Sequence, residues 1–152
     1  MASKDTIQAD LAEYLRDKLR TDTTILAFNP TVDAKNWIFI GRPKSKQLNF
    51  SVPRIILEPI DEAREEWTVN GKKDILIPYL YHAWVDQAVA STLLSYQIGD
   101  RIKKIVEDLE DDPDEEGIFH SEVISFSNDP EPTDNKVLIH VTVRQQLVWR
   151  EN

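Results

Sequence analysis

Cysteine is absent from the 152 residues, which removes disulfide bridges, thiolate metal sites, iron–sulfur clusters and cysteine nucleophiles at once. The fold must therefore be held by packing. Glycine occurs only four times, and none of these positions builds the nucleophile elbow or phosphate-cradling loop that marks acyl or phosphoryl transfer. No apolar run approaches the roughly 20 residues a membrane-spanning helix needs. The polar start Met1-Ala2-Ser3-Lys4-Asp5 does not read as a secretory signal, so synthesis in a cytoplasm with no membrane partner is expected. Positive charge is also scarce: 18 basic side chains face 27 acidic ones, for a net charge of −9. Such a surface repels phosphate backbones, so the field of the chain as a whole does not favour duplex binding.

Hydrophobic residues make up 41% and charged residues 30%, the balance of a water-soluble globule. The length suits one domain spanning 1–152, with no internal repeat and no second composition regime. Asp5 and Gln8 have the spacing of a helix cap and its reciprocal partner, and Ile7, Leu11, Tyr14, Leu15 and Leu19 share one face of a helix over 6–20. Residues 21–36 read as a loop anchored by Ile25, Leu26 and Phe28. Strands are expected at 37–40, 54–60 and 63–69. The pair Asn70-Gly71 then supplies the positive φ angles of a tight turn into a long strand, 75–85. In that strand Ile75, Ile77, Tyr79, Tyr81, Ala83 and Val85 share one face, and Leu76, Leu80, His82 and Trp84 the other. Both faces are largely apolar, so one covers the core and the other is expected to meet something else.

Helical spacing of Leu94, Ile98, Ile102, Ile105 and Leu109 predicts a second helix over 87–109, slightly weakened by Gly99 and stopped by the acidic run 107–117. Two closing strands follow, 118–126 and 137–149, around the turn-rich stretch 127–135. The last strand places Val137, Ile139, Val141, Val143, Leu147 and Trp149 on one face. The fold class is α+β: a mostly antiparallel sheet with two main helices on one face, in the order α-β-β-β-α-β-β.

Little of this points to a reaction. The histidines, His82, His120 and His140, all fall in strands and far apart in sequence; strands can converge, but ordinary strand histidines are the simpler reading. The carboxylates of 108–116 lack the spacing of a calcium loop and read as a solvated acidic segment. Asp61, Glu62, Glu65 and Glu66 read as a charged, edge-protecting strand face. The expectation is a protein that is not an enzyme and needs no cofactor or metal. Four tryptophans, Trp37, Trp67, Trp84 and Trp149, are many for this length; core packing is the simpler reading, and an interface, where tryptophan is enriched, is the alternative.

Several features taken together resemble the tail terminator, or tail completion, proteins of long-tailed bacterial and archaeal viruses, also called tail-to-head joining proteins. They are the helix from Ile7 to Arg20, the strand pair around Asn70-Gly71, the segment Tyr79-Leu80-Tyr81-His82-Ala83-Trp84-Val85 running into the helix from Gln87, and Val123-Ile124-Ser125 with a final Val-rich strand. The likeness covers most of the chain and is one of pattern, since the family carries no catalytic signature. It implies a homohexameric ring in a virion tail or neck that ends growth of the tail tube. Its partners would be sister subunits, the tail-tube protein and head-tail connector or neck proteins, with DNA passing through unbound.

On that reading Trp84, Leu80, His82, Tyr81, Trp149 and Val148 are candidates for the subunit interface. Asn70, Gly71, Lys72, Lys44 and Lys46 are candidates for reaching a neighbouring ring, and Asp111, Asp112, Asp114, Glu115, Glu116, Glu65 and Glu66 for an acidic lumen or rim. Two alternatives remain open: another neck or tail-tube subunit, or a small α+β enzyme or ligand-binding domain with its cleft around Tyr79, Tyr81 and His82.

Overall fold

The structure is a computed structural model that describes residues 7–41, 53–59, 64–67, 71, 73–86, 92–111, 117–133 and 136–150. The amphipathic start forms helix α1, Ile7–Thr21, which buries Ile7, Leu11, Ala12, Leu15 and Leu19. Where a loop was expected, a short helix α2, Thr23–Ala27, and a single 3-10 turn, Ala34–Asn36, bring Ile25 into the core. Asp22 caps α2 by accepting from the Ile25 amide at 2.9 Å, and it also takes a bidentate pair from Arg101 at 3.0 and 2.6 Å. One carboxylate thus caps one helix and fastens it to another.

Burial by itself pushes the Asp22 carboxyl up, but the hydrogen bonds from Arg101 and the Ile25 backbone outweigh it and hold the group below its ordinary value. The stability it contributes is fully present above the unfolded carboxylate value of about 4 and is lost as pH falls through the lower folded value. The melting temperature of the wild type is therefore expected to fall more steeply below about pH 4 than that of Asp22→Asn. Parallel acid melting curves would refute this.

Strands β1 (Ile38–Ile40), β2 (Arg54–Pro59), β3 (Arg64–Trp67), β4 (Lys73–Asp86), β5 (Ile118–Thr133) and β6 (Lys136–Arg150) form one sheet, with helix α3 (Thr92–Asp108) between β4 and β5. Among the described residues four strands separate α1 from α3, one more than the order α-β-β-β-α-β-β allows. The sheet order is β1-β2-β4-β6-β5, with β3 also on β4. All pairings are antiparallel except β1 with β2. β6 pairs with β4 from residue 74 to 86, so β2 and β3 share the other edge of β4, at residues 79–84 and 73–76. The segment 87–91, where the second helix was expected to begin, lies outside the described residues.

The stretch expected to be a turn at 127–135 is mostly strand, since β5 runs to Thr133 and pairs with Lys136. Its Pro130 and Pro132 mislead a local reading, but β5 ends the sheet order, and an edge strand tolerates residues without an N–H. Two register shifts, between Ile118 and His120 and between Val123 and Ser125, mark bulges in β5.

The helices cover one face of this sheet. Ile75, Ile77, Tyr79, Tyr81, Ala83 and Val85 of β4, with Val141, Val143, Leu147 and Trp149 of β6, pack there against Ile98, Ile102 and Val106 of α3 and against α1. At Gly99 α3 lies close to the sheet: a Cβ there would lie 2.7 Å from the Phe126 ring and from a Val141 methyl. Alanine is the better helix former by about 1 kcal/mol, yet crowding a packed core costs about 1–3 kcal/mol. Gly99→Ala is therefore expected to lower the urea midpoint by the equivalent of about 1 kcal/mol. A raised midpoint would mean that the helix withdraws without cost.

Candidate assembly surface

Side-chain alternation turns the second face of the sheet away from the helices. On β4 this open face carries Leu76, Leu80, His82 and Trp84, and all four side chains are half-buried. Register aligns Arg54 of β2 and His140 of β6 with Trp84 on its two sides, Thr142 with His82, and Arg144 and Glu58 with Leu80. These cross-strand neighbours form a line of contacts. The carboxylate of Glu58 lies 2.8 Å from His82 Nε2, and His82 Nδ1 lies 2.7 Å from His140 Nε2. The Trp84 ring stacks on His140 at 3.8 Å between centroids and 5° between planes. Arg54 closes the line, its guanidinium 5.5 Å from the Trp84 ring.

The two ends of this line differ. Glu58 is half exposed, at 52% of its side chain, whereas His140 and Arg54 are exposed at only 8% and 7%. Burial lowers the Arg54 pKa below its ordinary value. The histidines do converge, as strands permit, but only two of them: His120 sits on β5 between Glu110, at 2.7 Å, and Glu122, at 3.4 Å. Among the described residues no group of three or more His, Asp or Glu side chains is arranged to hold a metal ion.

The expected interface set therefore divides. Trp84, Leu80, His82 and Val148 do lie on the open face, partly accessible. Tyr81 and Trp149 do not: they are 2% and 7% exposed, on the helix-covered face. The reason is the two-residue period of a strand, which sends neighbours such as Leu80 and Tyr81, or Val148 and Trp149, to opposite sides. The same parity removes the ligand cleft expected around Tyr79, Tyr81 and His82, because Tyr79 and Tyr81 are covered while His82 faces the other way. Gly71 has the positive φ of the expected turn, +74°. Asn70, Lys72, Lys44, Lys46, Asp112, Asp114, Glu115 and Glu116 lie outside the described residues. Asp111 ends the 3-10 turn Leu109–Asp111 that follows α3. Glu65 and Glu66 are exposed on β3, and Glu65 pairs with Lys73 at 2.7 Å.

What sequence reasoning missed lies at the margins of the sheet. The large apolar side chains most exposed among the described residues are Trp67 at 73%, Leu93 at 68%, Phe119 at 54%, Ile124 at 51% and Tyr96 at 37%. Trp67 is on β3. Phe119 and Ile124 are the residues at which β5 shifts register, and a bulge of this kind re-aims a side chain. Tyr96 of α3 stacks on Phe126 of β5 at 6.2 Å, and Asn128 of β5 donates to the Tyr96 hydroxyl at 2.8 Å. The Arg150 guanidinium covers Phe119 at 3.5 Å while bonding Asp74 at 2.7 and 2.9 Å. Alternating hydrophobicity carries no mark of a bulge, so these exposures were not legible. A shallow groove of about 490 Å³ beside α2 is lined by Leu26, Ala27, Asn29, Pro30, Val32, Asp33 and Ala34.

No protein-family model and no curated protein matches this sequence. Among solved structures, the chain is similar to one from a structure described as the virion of a native gene transfer agent particle. The TM-score is 0.62 over 91% of this chain and 94% of that one, at 10% identity. A likeness at that identity is one of fold.

Proposed function

We propose that this chain is a structural protein of a virion, one that works by assembling with copies of itself and with other virion proteins and not by catalysing a reaction. The observation that carries the proposal is the shared fold: a chain of a virion particle follows the same path over nearly its whole length, and nearly the whole of this chain takes part in the match. The more specific reading follows from the sequence resemblance. The chain is a tail terminator that forms a ring at the junction of tail tube and capsid neck; another neck or tail-tube subunit is the nearest variant.

Two properties of the molecule support assembly. Among the described residues the helices cover one side of the sheet only, and its other side offers Leu80, Trp84 and Val148 in half-buried positions. Exposed Trp67 on β3 and exposed Phe119 and Ile124 on β5 lie on opposite sides of the β4–β6 pair. Ring closure requires contacts between unlike patches, and two different margins provide them. The net charge of −9 suits a passage that duplex DNA crosses without being gripped.

The test is mass in solution by light scattering over a range of concentrations, with Leu80→Glu and Trp67→Glu beside the wild type. The expected result is growth toward a closed ring in the wild type, and loss of that growth by at least tenfold in apparent affinity in one of the variants. A wild type that remains monomeric at every concentration, or a tight dimer with a measurable catalytic activity, would overturn the proposal.

A further inference from the structure

The contact between His82 and His140 has a property that ordinary strand histidines lack. Their nitrogens are 2.7 Å apart, His82 Nδ1 to His140 Nε2, and a hydrogen bond across that gap needs one donor and one acceptor. Two neutral rings satisfy it, and so does one imidazolium with one imidazole. Two imidazolium rings do not, because each then presents an N–H to the other. The pair can close only while it holds at most one proton beyond its neutral state.

We propose that His82 and His140 form an acid-sensitive latch that holds Trp84 stacked in place on the open face of the sheet. His140 is the hinge of the arrangement: on one side it bonds His82, whose ring is nearly parallel to it at 18°, and on the other it carries the Trp84 ring at 3.8 Å. Protons reach the pair from its wet end, where Glu58 binds His82 Nε2 at 2.8 Å and His82 is itself partly exposed. With one added proton the contact stays intact, one ring donating and the other accepting. A second added proton opens the contact and with it the support of Trp84.

The charged groups around the pair do not remove that conflict. From β2 come Glu58, which already bonds His82, and Arg54, which lies over Trp84. From β6 comes Arg144, two positions from Thr142 on the same face, and β5 sets Asp129 opposite His140 in register. A carboxylate near His140 would ease its charge but would leave two N–H groups facing each other across the same gap. The direction of the effect follows from proton count: the open form binds one proton more than the closed form, so acid favours opening and alkali favours closing. Imidazole is the side chain that changes charge in mildly acidic water, which makes pH the variable for the test. The latch belongs to a single chain and does not depend on the assembly reading.

The test follows the Trp84 indole N–H and the histidine ring resonances by NMR as pH is lowered from about 8 to about 5, with Trp84→Phe used for assignment. In the wild type the Trp84 signal is expected to shift or broaden as the second histidine takes up its proton. In His82→Gln and His140→Gln that response is expected to be lost. The proposal is overturned if both wild-type rings become imidazolium while the Trp84 signal stays in place. It is equally overturned if Trp84 responds to pH in the same way in the wild type and in both variants. The first of these outcomes needs only the wild-type protein, so a variant that fails to fold leaves the proposal testable.

Discussion

Gly117→Ala is expected to destabilise the chain by about 3 kcal/mol, at the upper end of what overpacking a core costs. A Cβ at Gly117 would overlap Trp149 Nε1 and lie 2.7 Å from two further atoms of the indole. That ring is rigid, 7% exposed and part of the core, so it cannot step aside as the end of a lysine could. Backbone movement is resisted too, because the Gly117 carbonyl accepts from the Arg150 amide at 2.8 Å where β5 begins. Either the indole leaves the core or the start of β5 detaches from β6. Urea unfolding measures the loss, and near-UV circular dichroism reports the displaced tryptophan. Combining Gly117→Ala with Trp149→Phe should cost less than the sum of the two single changes, because the smaller ring leaves room for the methyl group. A single variant within about 0.5 kcal/mol of wild type would show that the close approach is not structural.

Gln145→Leu is the second large effect, expected to cost about 2–3 kcal/mol through a buried hydroxyl left without its acceptor. Gln145 is fully buried, where strand parity would favour an apolar residue. It is kept there by a chain of hydrogen bonds: the Tyr81 hydroxyl donates to Gln145 Oε1, Gln145 Nε2 donates to Ser121 Oγ at 2.8 Å, and Ser121 Oγ donates to the Val106 carbonyl of α3 at 2.7 Å. Three strands and a helix are thereby joined through the core. Tyr81→Phe in the same background should recover part of the loss, since it removes the stranded donor. Equal stabilities for Gln145→Leu with and without Tyr81→Phe would refute the network as the cause.

The same tyrosines bear on alkaline stability. Burial raises the Tyr81 pKa well above its ordinary value of 10.0, and it raises that of Tyr79 as well. Above about pH 10 the unfolded chain loses these protons while the native chain retains them. Stability therefore falls as pH rises past that point, and Tyr79→Phe should flatten the fall.

The elements themselves were largely legible. The spacing of Ile7, Leu11, Leu15 and Leu19 marks α1, and all four are buried as that spacing implies. Alternation in β4 separates Ile77, Tyr79 and Tyr81 from Leu80, His82 and Trp84, and the structure keeps the two sets apart. The errors came where a local signal competes with a long-range one. Pro130 and Pro132 argue for a loop until pairing with β6 makes them part of an edge strand. Gln145 falls by parity on the core face, where its type gives no hint of the partners, Tyr81 and Ser121, that the fold supplies from distant strands. The candidate surface was half legible: parity identified Leu80, His82, Trp84 and Val148, while Tyr81 and Trp149 were grouped with them against that same parity.

Periodicity and composition by themselves determined the α+β class, the helix-facing side of β4 and an acidic, cysteine-free surface, because each depends only on residue type and on spacing along a few turns or strands. Only the tertiary structure decided that His82 meets His140 beneath Trp84, that Gly117 lies against Trp149, and that Phe119 and Ile124 turn outward at the sheet margin. Those facts follow from strand order and register, which bring together residues tens of positions apart, and no local pattern encodes which strands will be neighbours.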